Sequence, residues 1–276
     1  MAFIDFLIEV EDVKRVTSDP TSEIRLLDGT WSMPGQNGPH EGVTIPGAVF
    51  FDLDEIATQH PSLNHMLPSS SQFETFNREH GINNTDHIVC YDRHGVFSSP
   101  RLWWTYRMFG HEKVSVLNGG LPEWMAKKLP VSQNVSSPKA HSDYSAKPPL
   151  SGVIGFEELK ALIGGRTQII DARPAGRFDG TAPEPRAGLK AGHMPGAISL
   201  PFLELKAGTA FKTIAEISKL VGRHGIDLEK PIVTTCGSGI TAAGLALLFH
   251  QLGAKDVRVY DASWAEWGAS SAPIES

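Results

Sequence analysis

Cys236 opens the stretch Cys236-Gly237-Ser238-Gly239-Ile240-Thr241, whose residue types and spacing suit anion chemistry. The β-branched run Pro231-Ile232-Val233-Thr234-Thr235 before it predicts a buried strand, and Ala242-Ala243-Gly244-Leu245-Ala246-Leu247-Leu248-Phe249 after it predicts a helix. A thiol at the end of a strand, in a glycine loop that starts a helix, faces successive backbone N–H groups and the positive end of that helix. Both favour the thiolate, which is the attacking form. A single cysteine at a strand end is more often a buried structural residue. The two glycines, Ser238 and Thr241 favour the reactive reading.

The elements that must position this loop occur twice. Leu26-Leu27-Asp28 is answered by Ile169-Ile170-Asp171, and Ile45-Pro46-Gly47-Ala48 by Met194-Pro195-Gly196-Ala197. Further on, Ile88-Val89 matches Ile232-Val233, and Pro122-Glu123-Trp124 matches Ala265-Glu266-Trp267. The four pairs keep their order at separations of 143 to 149 residues, so the chain reads as two copies of one domain. Each copy predicts a first helix (residues 11–15 and 157–163), a strand ending in Asp, a loop to the Pro-Gly turn, more helix, a strand, a loop and a long helix. A last strand follows at residues 114–117 and 257–260. Strands and helices alternating at these lengths imply an α/β fold, a tandem repeat in which each domain is a mostly parallel sheet flanked by helices. Ligands in such sheets bind outside the carboxyl ends of the strands, where Cys236 falls. The expected division is 1–130, a linker at 131–150 rich in Ser and Pro (Ser132, Ser136, Ser137, Pro138, Lys139, Ser142, Pro148, Pro149), and 151–276.

Composition narrows the classes. The chain has 276 residues, long enough for two cores, with 41% hydrophobic and 20% charged residues, as in ordinary globular proteins. A net charge of -6 without a basic run argues against nucleic acid as a partner. Two cysteines, Cys90 and Cys236, are too few for a disulfide framework and fit a reducing compartment. No apolar run approaches the ~20 residues of a membrane span. The first residues place acids where a signal peptide wants a basic start, so the cytoplasm is the expected location.

Superposing the copies on their strand-loop-helix units sets Cys236 on Asp92, Gly239 on Gly95 and Thr241 on Phe97. The first copy has the scaffold without the nucleophile and is expected to be catalytically silent, contributing contacts to the site of the second. Cys90, inside an apolar strand, reads as core. The loop, the repeat, Pro46-Gly47-Ala48-Val49-Phe50-Phe51-Asp52-Leu53-Asp54, His65-Met66-Leu67-Pro68, Ser99-Pro100-Arg101, Gly119-Gly120-Leu121-Pro122-Glu123-Trp124, Gly176-Arg177-Phe178, Glu184-Pro185-Arg186, Gly192-His193-Met194-Pro195-Gly196-Ala197 and Asp261-Ala262-Ser263-Trp264 together resemble the two-domain rhodanese-type sulfurtransferases over nearly the whole chain. Within them the loop resembles the 3-mercaptopyruvate branch. The thiosulfate-using branch resembles Cys-Arg-Lys-Gly-Val-Thr there, whose cations suit a dianion, whereas Gly237 and Ser238 are small and neutral.

That resemblance implies sulfur transfer from 3-mercaptopyruvate, through a persulfide on Cys236, to an acceptor thiol such as thioredoxin or a low-molecular-weight thiol, or to cyanide, with release of pyruvate. It carries the grip on the keto-acid onto Arg177 and Arg186, since guanidinium forks match carboxylates. It assigns proton handling to Ser238, His65 and Asp54. Backbone N–H groups of Gly237, Ser238, Gly239, Ile240 and Thr241 would stabilise the thiolate and persulfide. Taken alone, Ser238 could shape the loop, and His65, Asp54 and either arginine could be surface groups; His193 reads as a turn-bonding residue. No cofactor and no metal are expected, as no histidine shows ligand spacing with a cysteine. A phosphatase on the same architecture would need Cys-x5-Arg, and the sixth residue after Cys236 is Ala242. A silent binding module would fit the first copy but not the second. The first copy departs from the family in Val43-Thr44-Ile45-Pro46-Gly47, which lacks the usual histidine before the turn, and its loop at 35–42 is glycine-rich.

Overall fold

A computed structural model describes residues 6–17, 24–33, 38–133 and 141–276, with the backbone alone for 15–17. The start of the chain at 1–5, residues 35–37 of the glycine-rich loop and linker residues 134–140, among them Ser136, Ser137, Pro138 and Lys139, lie outside the described residues. The chain divides into two compact units. The first is Met1–Ala57, Pro68–Leu150 and Ala207–Phe211; the second is Thr58–Leu67, Ser151–Lys206 and Lys212–Ser276.

In the first unit the elements run β1 (Leu7–Ile8), α1 (Val10–Thr17), β2 (Ile24–Asp28), β3 (Val49–Phe50), α2 (Leu53–Ile56), α3 (Ser70–Glu79), β4 (His87–Tyr91), α4 (Ser99–Met108), β5 (Val114–Leu117) and α5 (Gly120–Ala126). Its sheet has the order β1-β5-β4-β2-β3 with every pair parallel. In the second, the elements are β6 (Val153–Ile154), α6 (Phe156–Leu162), β7 (Gln168–Asp171), α7 (Ala175–Phe178), β8 (Ile198–Ser199), a 3₁₀ turn (Phe202–Leu205), α8 (Ile214–Arg223), β9 (Ile232–Thr235), α9 (Ile240–Gln251), β10 (Val257–Tyr260) and α10 (Ser263–Trp267). The order β6-β10-β9-β7-β8 is again all parallel, strand for strand the same topology as the first. The repeat read from the sequence is therefore a structural repeat.

Central strands carry apolar residues on both faces because helices cover both. β9 and β4 are buried nearly end to end. α9 is apolar all round and buried from Ala242 to Phe249, as a helix without a polar face must be. Leu26, Val89, Leu117, Leu121 and Trp124 of the first core correspond to Ile169, Val233, Tyr260, Trp264 and Trp267 of the second. Gly47 and Gly196 take positive φ of 80° and 69° in the two Pro-Gly turns, a conformation glycine enters without a Cβ penalty.

The units differ from a plain division of the chain at residue 130. Segment Thr58–Leu67 comes from the first repeat but belongs to the second unit, where Leu63 joins the core with Ile154, Met194 and Trp264. The described residues after 140, expected as an inter-domain linker, are part of the first unit. Tyr144 is fully buried against Phe73 and His111, and Lys147 and Leu150 donate backbone N–H groups to Phe109 and Met108.

Candidate active site

Strand β9 ends at Thr235, and the chain turns through Cys236, Gly237, Ser238 and Gly239 into α9. Gly239 is the N-cap at φ 83°, which leaves its N–H directed back at the thiol; it donates to Cys236 Sγ at 3.1 Å. The loop carbonyls are drawn the other way. Trp264 N–H donates to Cys236 O at 2.9 Å and Ala265 N–H to Gly237 O at 3.0 Å, both from the first turn of α10. With its carbonyls held outside, the loop keeps its N–H groups for an anion at Cys236. Cys236 itself is only 3% exposed.

Ser263 completes this clasp. Its Oγ accepts from Cys236 N–H at 3.1 Å, donates to Tyr260 O at 2.8 Å and lies 4.0 Å from Sγ. It is fully buried at φ 53°, a strained conformation for a residue with a Cβ. The structurally equivalent residue of the first unit is Gly120, also at φ 53°. Ser263 has no expected role in the sequence, where the one signal for it is its alignment on a glycine, Gly120.

Of the two expected arginines, Arg177 is paired with a buried carboxylate, that of Glu184. Arg177, on α7, donates from Nε to Glu184 Oε1 at 3.1 Å and from Nη2 to Oε2 at 2.5 Å. A Cβ built on Gly237 would stand 3.1 Å from Arg177 Nη2 and 3.7 Å from Nη1. The arginine therefore sits directly against the reactive loop. Glu184 is held from behind by Arg173, whose Nη1 donates to Oε1 at 2.8 Å. Arg173, 1% exposed, also grips Asp171 Oδ2 through Nε at 2.9 Å and Nη2 at 2.7 Å, and its guanidinium lies 4.0 Å over the Trp264 ring. Burial pushes the Asp171 carboxyl up, against the pull of Arg173. Arg186 is half-buried two residues beyond Glu184, and no hydrogen bond or ion pair to a described residue holds it.

Of the expected proton-handling residues, His65 is in this unit. It is 2% exposed and adopts φ 63°, and Leu67 N–H two residues on donates to Asp261 Oδ2 at 2.8 Å, close in sequence to Ser263. Ser238 is half-buried and its hydroxyl makes no hydrogen bond to a described residue. Asp54 belongs to the first unit, on α2, where it accepts from Trp31 Nε1 at 3.0 Å. Ile240 is buried and Thr241 half-buried on the first turn of α9. His193 does bond a turn: Nδ1 donates to Phe178 O at 2.9 Å and the ring stacks on Phe178.

The corresponding loop of the first unit is occupied by its own anion. Asp92, fully buried, accepts from His94, Ser98 and Ser99 N–H groups at 2.8 to 2.9 Å and from Ser99 Oγ at 2.7 Å. Gly95, at φ 108°, is covered: a Cβ there would run into the Thr209 carbonyl oxygen. Cys90 is buried in β4, and burial pushes its thiol up.

The Rhodanese-like domain family matches the chain twice, over residues 35–127 and 156–270. The 3-mercaptopyruvate sulfurtransferase of Rattus norvegicus is 38% identical over 277 residues, 97% of this chain and 93% of that one. The thiosulfate sulfurtransferase of Gallus gallus is 38% identical over 251 residues, 88% of this chain and 86% of that one. Among solved structures, the Escherichia coli protein SseA, described as a 3-mercaptopyruvate sulfotransferase, superposes with a TM-score of 0.83 at 34% identity, covering 95% of this chain and 99% of that one. With two matching domains, two copies of one sheet topology and relatives this similar over nearly its full length, the chain belongs to the rhodanese family.

Proposed function

We propose that the chain transfers sulfur from 3-mercaptopyruvate, by way of a persulfide on Cys236, to an acceptor thiol. The observation that carries this reading is the placement of the Arg177 guanidinium against Gly237 in a loop whose Gly239 N–H points at Cys236 Sγ. A cation beside a neutral loop suits a donor with a single carboxylate set back from its sulfur. The Cys236 thiolate attacks the donor sulfur; the carbon–sulfur bond breaks and its electron pair leaves with pyruvate as the enolate, which takes up a proton. An acceptor thiolate then attacks the outer sulfur, and Cys236 leaves as the thiolate. The loop N–H groups stabilise the charge on Cys236 at both ends of the cycle.

Arg177 grips the carboxylate, and Arg186, with no partner among the described residues, is available to the carbonyl end. Ser238 and His65 move the proton to and from the enolate: a hydroxyl with no hydrogen bond to a described residue in the loop and a buried imidazole in the same unit suit that role. The part assigned to Asp54 rests on the family resemblance. The first copy is silent, its cradle filled by Asp92. The acceptor is a protein thiol such as thioredoxin or a low-molecular-weight thiol, and the cytoplasm, where both thiols stay reduced, is the proposed location.

Steady-state rates with each donor test the choice of substrate. The expected result is a larger kcat/KM for 3-mercaptopyruvate than for thiosulfate; the reverse order contradicts the argument from the neutral loop.

A further inference from the structure

We infer that Glu184 is a positioning residue, which fixes the guanidinium of Arg177 with its terminal edge toward the reactive loop and so sets the affinity for the donor carboxylate. This rests on the reading of Arg177 given above and adds the group that aims it. A guanidinium has two edges that can take a carboxylate in bidentate fashion, Nε with Nη2 and Nη1 with Nη2. Glu184 occupies the first. The second remains, and it faces the loop: both terminal nitrogens lie nearer to a Cβ built on Gly237 than Cζ does, at 3.1 and 3.7 Å against 3.9 Å. Without the carboxylate, the arginine, 21% exposed, would be free to swing to other rotamers and to present either edge.

The carboxylate is itself immobilised. The Glu184 side chain is 2% exposed, and the buried Arg173 holds its Oε1 while also clasping Asp171 at the end of β7 and lying over Trp264, the residue whose N–H holds the Cys236 carbonyl. A continuous run of charge-assisted bonds thus leads from the strand end to the arginine beside the loop. Two carboxylates face two guanidinium groups, so the run carries no net charge, and removing any one member would leave a buried charge uncompensated. Gly237 belongs to the same device. A side chain at that position would meet the terminal nitrogens of Arg177, so the loop leaves the space beside Cys236 to an arginine supplied by α7.

The test compares Glu184→Gln, Arg177→Ala and the double variant, with 3-mercaptopyruvate and with inorganic polysulfide, a sulfur donor that has no carboxylate. Gln keeps the size and one acceptor oxygen but loses the bidentate anion. Glu184→Gln should raise KM for 3-mercaptopyruvate by about tenfold or more with kcat within about threefold. Persulfide formation from polysulfide should stay within about twofold, and adding Glu184→Gln to Arg177→Ala should change nothing further, because the two act as one unit. Glu184→Asp, which restores the charge one methylene short, should recover part of the loss; if the Gln variant does not fold, Asp carries the same comparisons against wild type. An unchanged or lowered KM, an equal loss with polysulfide, or additive effects in the double variant each overturn the proposal. A wild-type KM in Arg177→Ala would instead sink the carboxylate clamp itself, whatever Glu184 does.

Discussion

At the scale of single residues, three side chains decide what the loop can do. Cys236 supplies the sulfur, and Asp92 shows the alternative, since in the first copy the N–H groups of His94, Ser98 and Ser99 are taken up by the protein's own carboxylate. Ser263 ties the cysteine's own N–H, and it does so from a backbone conformation that the first copy gives to Gly120. A serine is kept there despite the strain because its hydroxyl satisfies a buried donor, which would cost about 1–3 kcal/mol if left alone. Ser263→Ala retains the strain and loses the bond, so it should destabilise the protein by about that amount in urea denaturation. Ser263→Gly also loses the bond but relieves about 1 kcal/mol of backbone strain and should be the milder change. Equal stability of Ser263→Ala and wild type would contradict this account. Their neighbours in the sequence separate Cys90 from Cys236, and their surroundings differ in the fold: one is sealed in a strand, the other meets the Gly239 N–H.

At the scale of elements, the sequence read best where pattern and periodicity speak. The last strands at 114–117 and 257–260 and the strands ending in Asp28 and Asp171 stand where the β-branched runs placed them. The strand, loop and helix around Cys236 follow the residue types closely, since α9 has no polar face and Gly239 must take a positive φ. The role of α10 was not legible: five residues carry no periodicity of their own, and only the fold brings the Trp264 and Ala265 N–H groups to the loop carbonyls. The attachment of the segment after 140 to the first unit was not legible for the same reason, because a buried tyrosine and scattered backbone bonds rather than a periodic pattern anchor it. The Tyr144 hydroxyl lies 3.2 Å from His111 Nδ1 while His111 Nε2 donates to the Asp86 carbonyl at 2.9 Å, so the anchor closes on a buried imidazole. Burial pushes His111 below the ordinary histidine value of 6.5, and His87, beside it, likewise. The unfolded chain therefore binds these protons first as pH falls. Stability is fully present above pH 6.5 and is lost as pH drops through 6.5 toward the lower folded values. Thermal unfolding at pH 7.5 and 5.5 should show a larger fall for wild type than for His111→Gln; equal falls would remove His111 as the cause.

Across the whole molecule, one domain plan has been used twice with opposite outcomes. Both copies have the same strand order and, at the same strand end, a loop that turns on a positive-φ glycine, Gly95 or Gly239, yet one loop is filled by Asp92 and covered by Thr209 while the other presents a thiol with Arg177 alongside. The duplication and the difference between the copies were readable, because a cysteine standing opposite an aspartate is a fact of alignment. The exchange of Thr58–Leu67 into the second unit was not, since only the fold brings Leu63 into that core and the Leu67 N–H to Asp261. Everything converges on a single claim, that Cys236 carries the sulfur between donor and acceptor. Mass spectrometry of the intact protein after addition of 3-mercaptopyruvate addresses it directly. The account predicts one added sulfur on wild type, lost on treatment with a thiol and absent from Cys236→Ser; an unmodified wild-type protein, or an adduct that persists in Cys236→Ser, would contradict it.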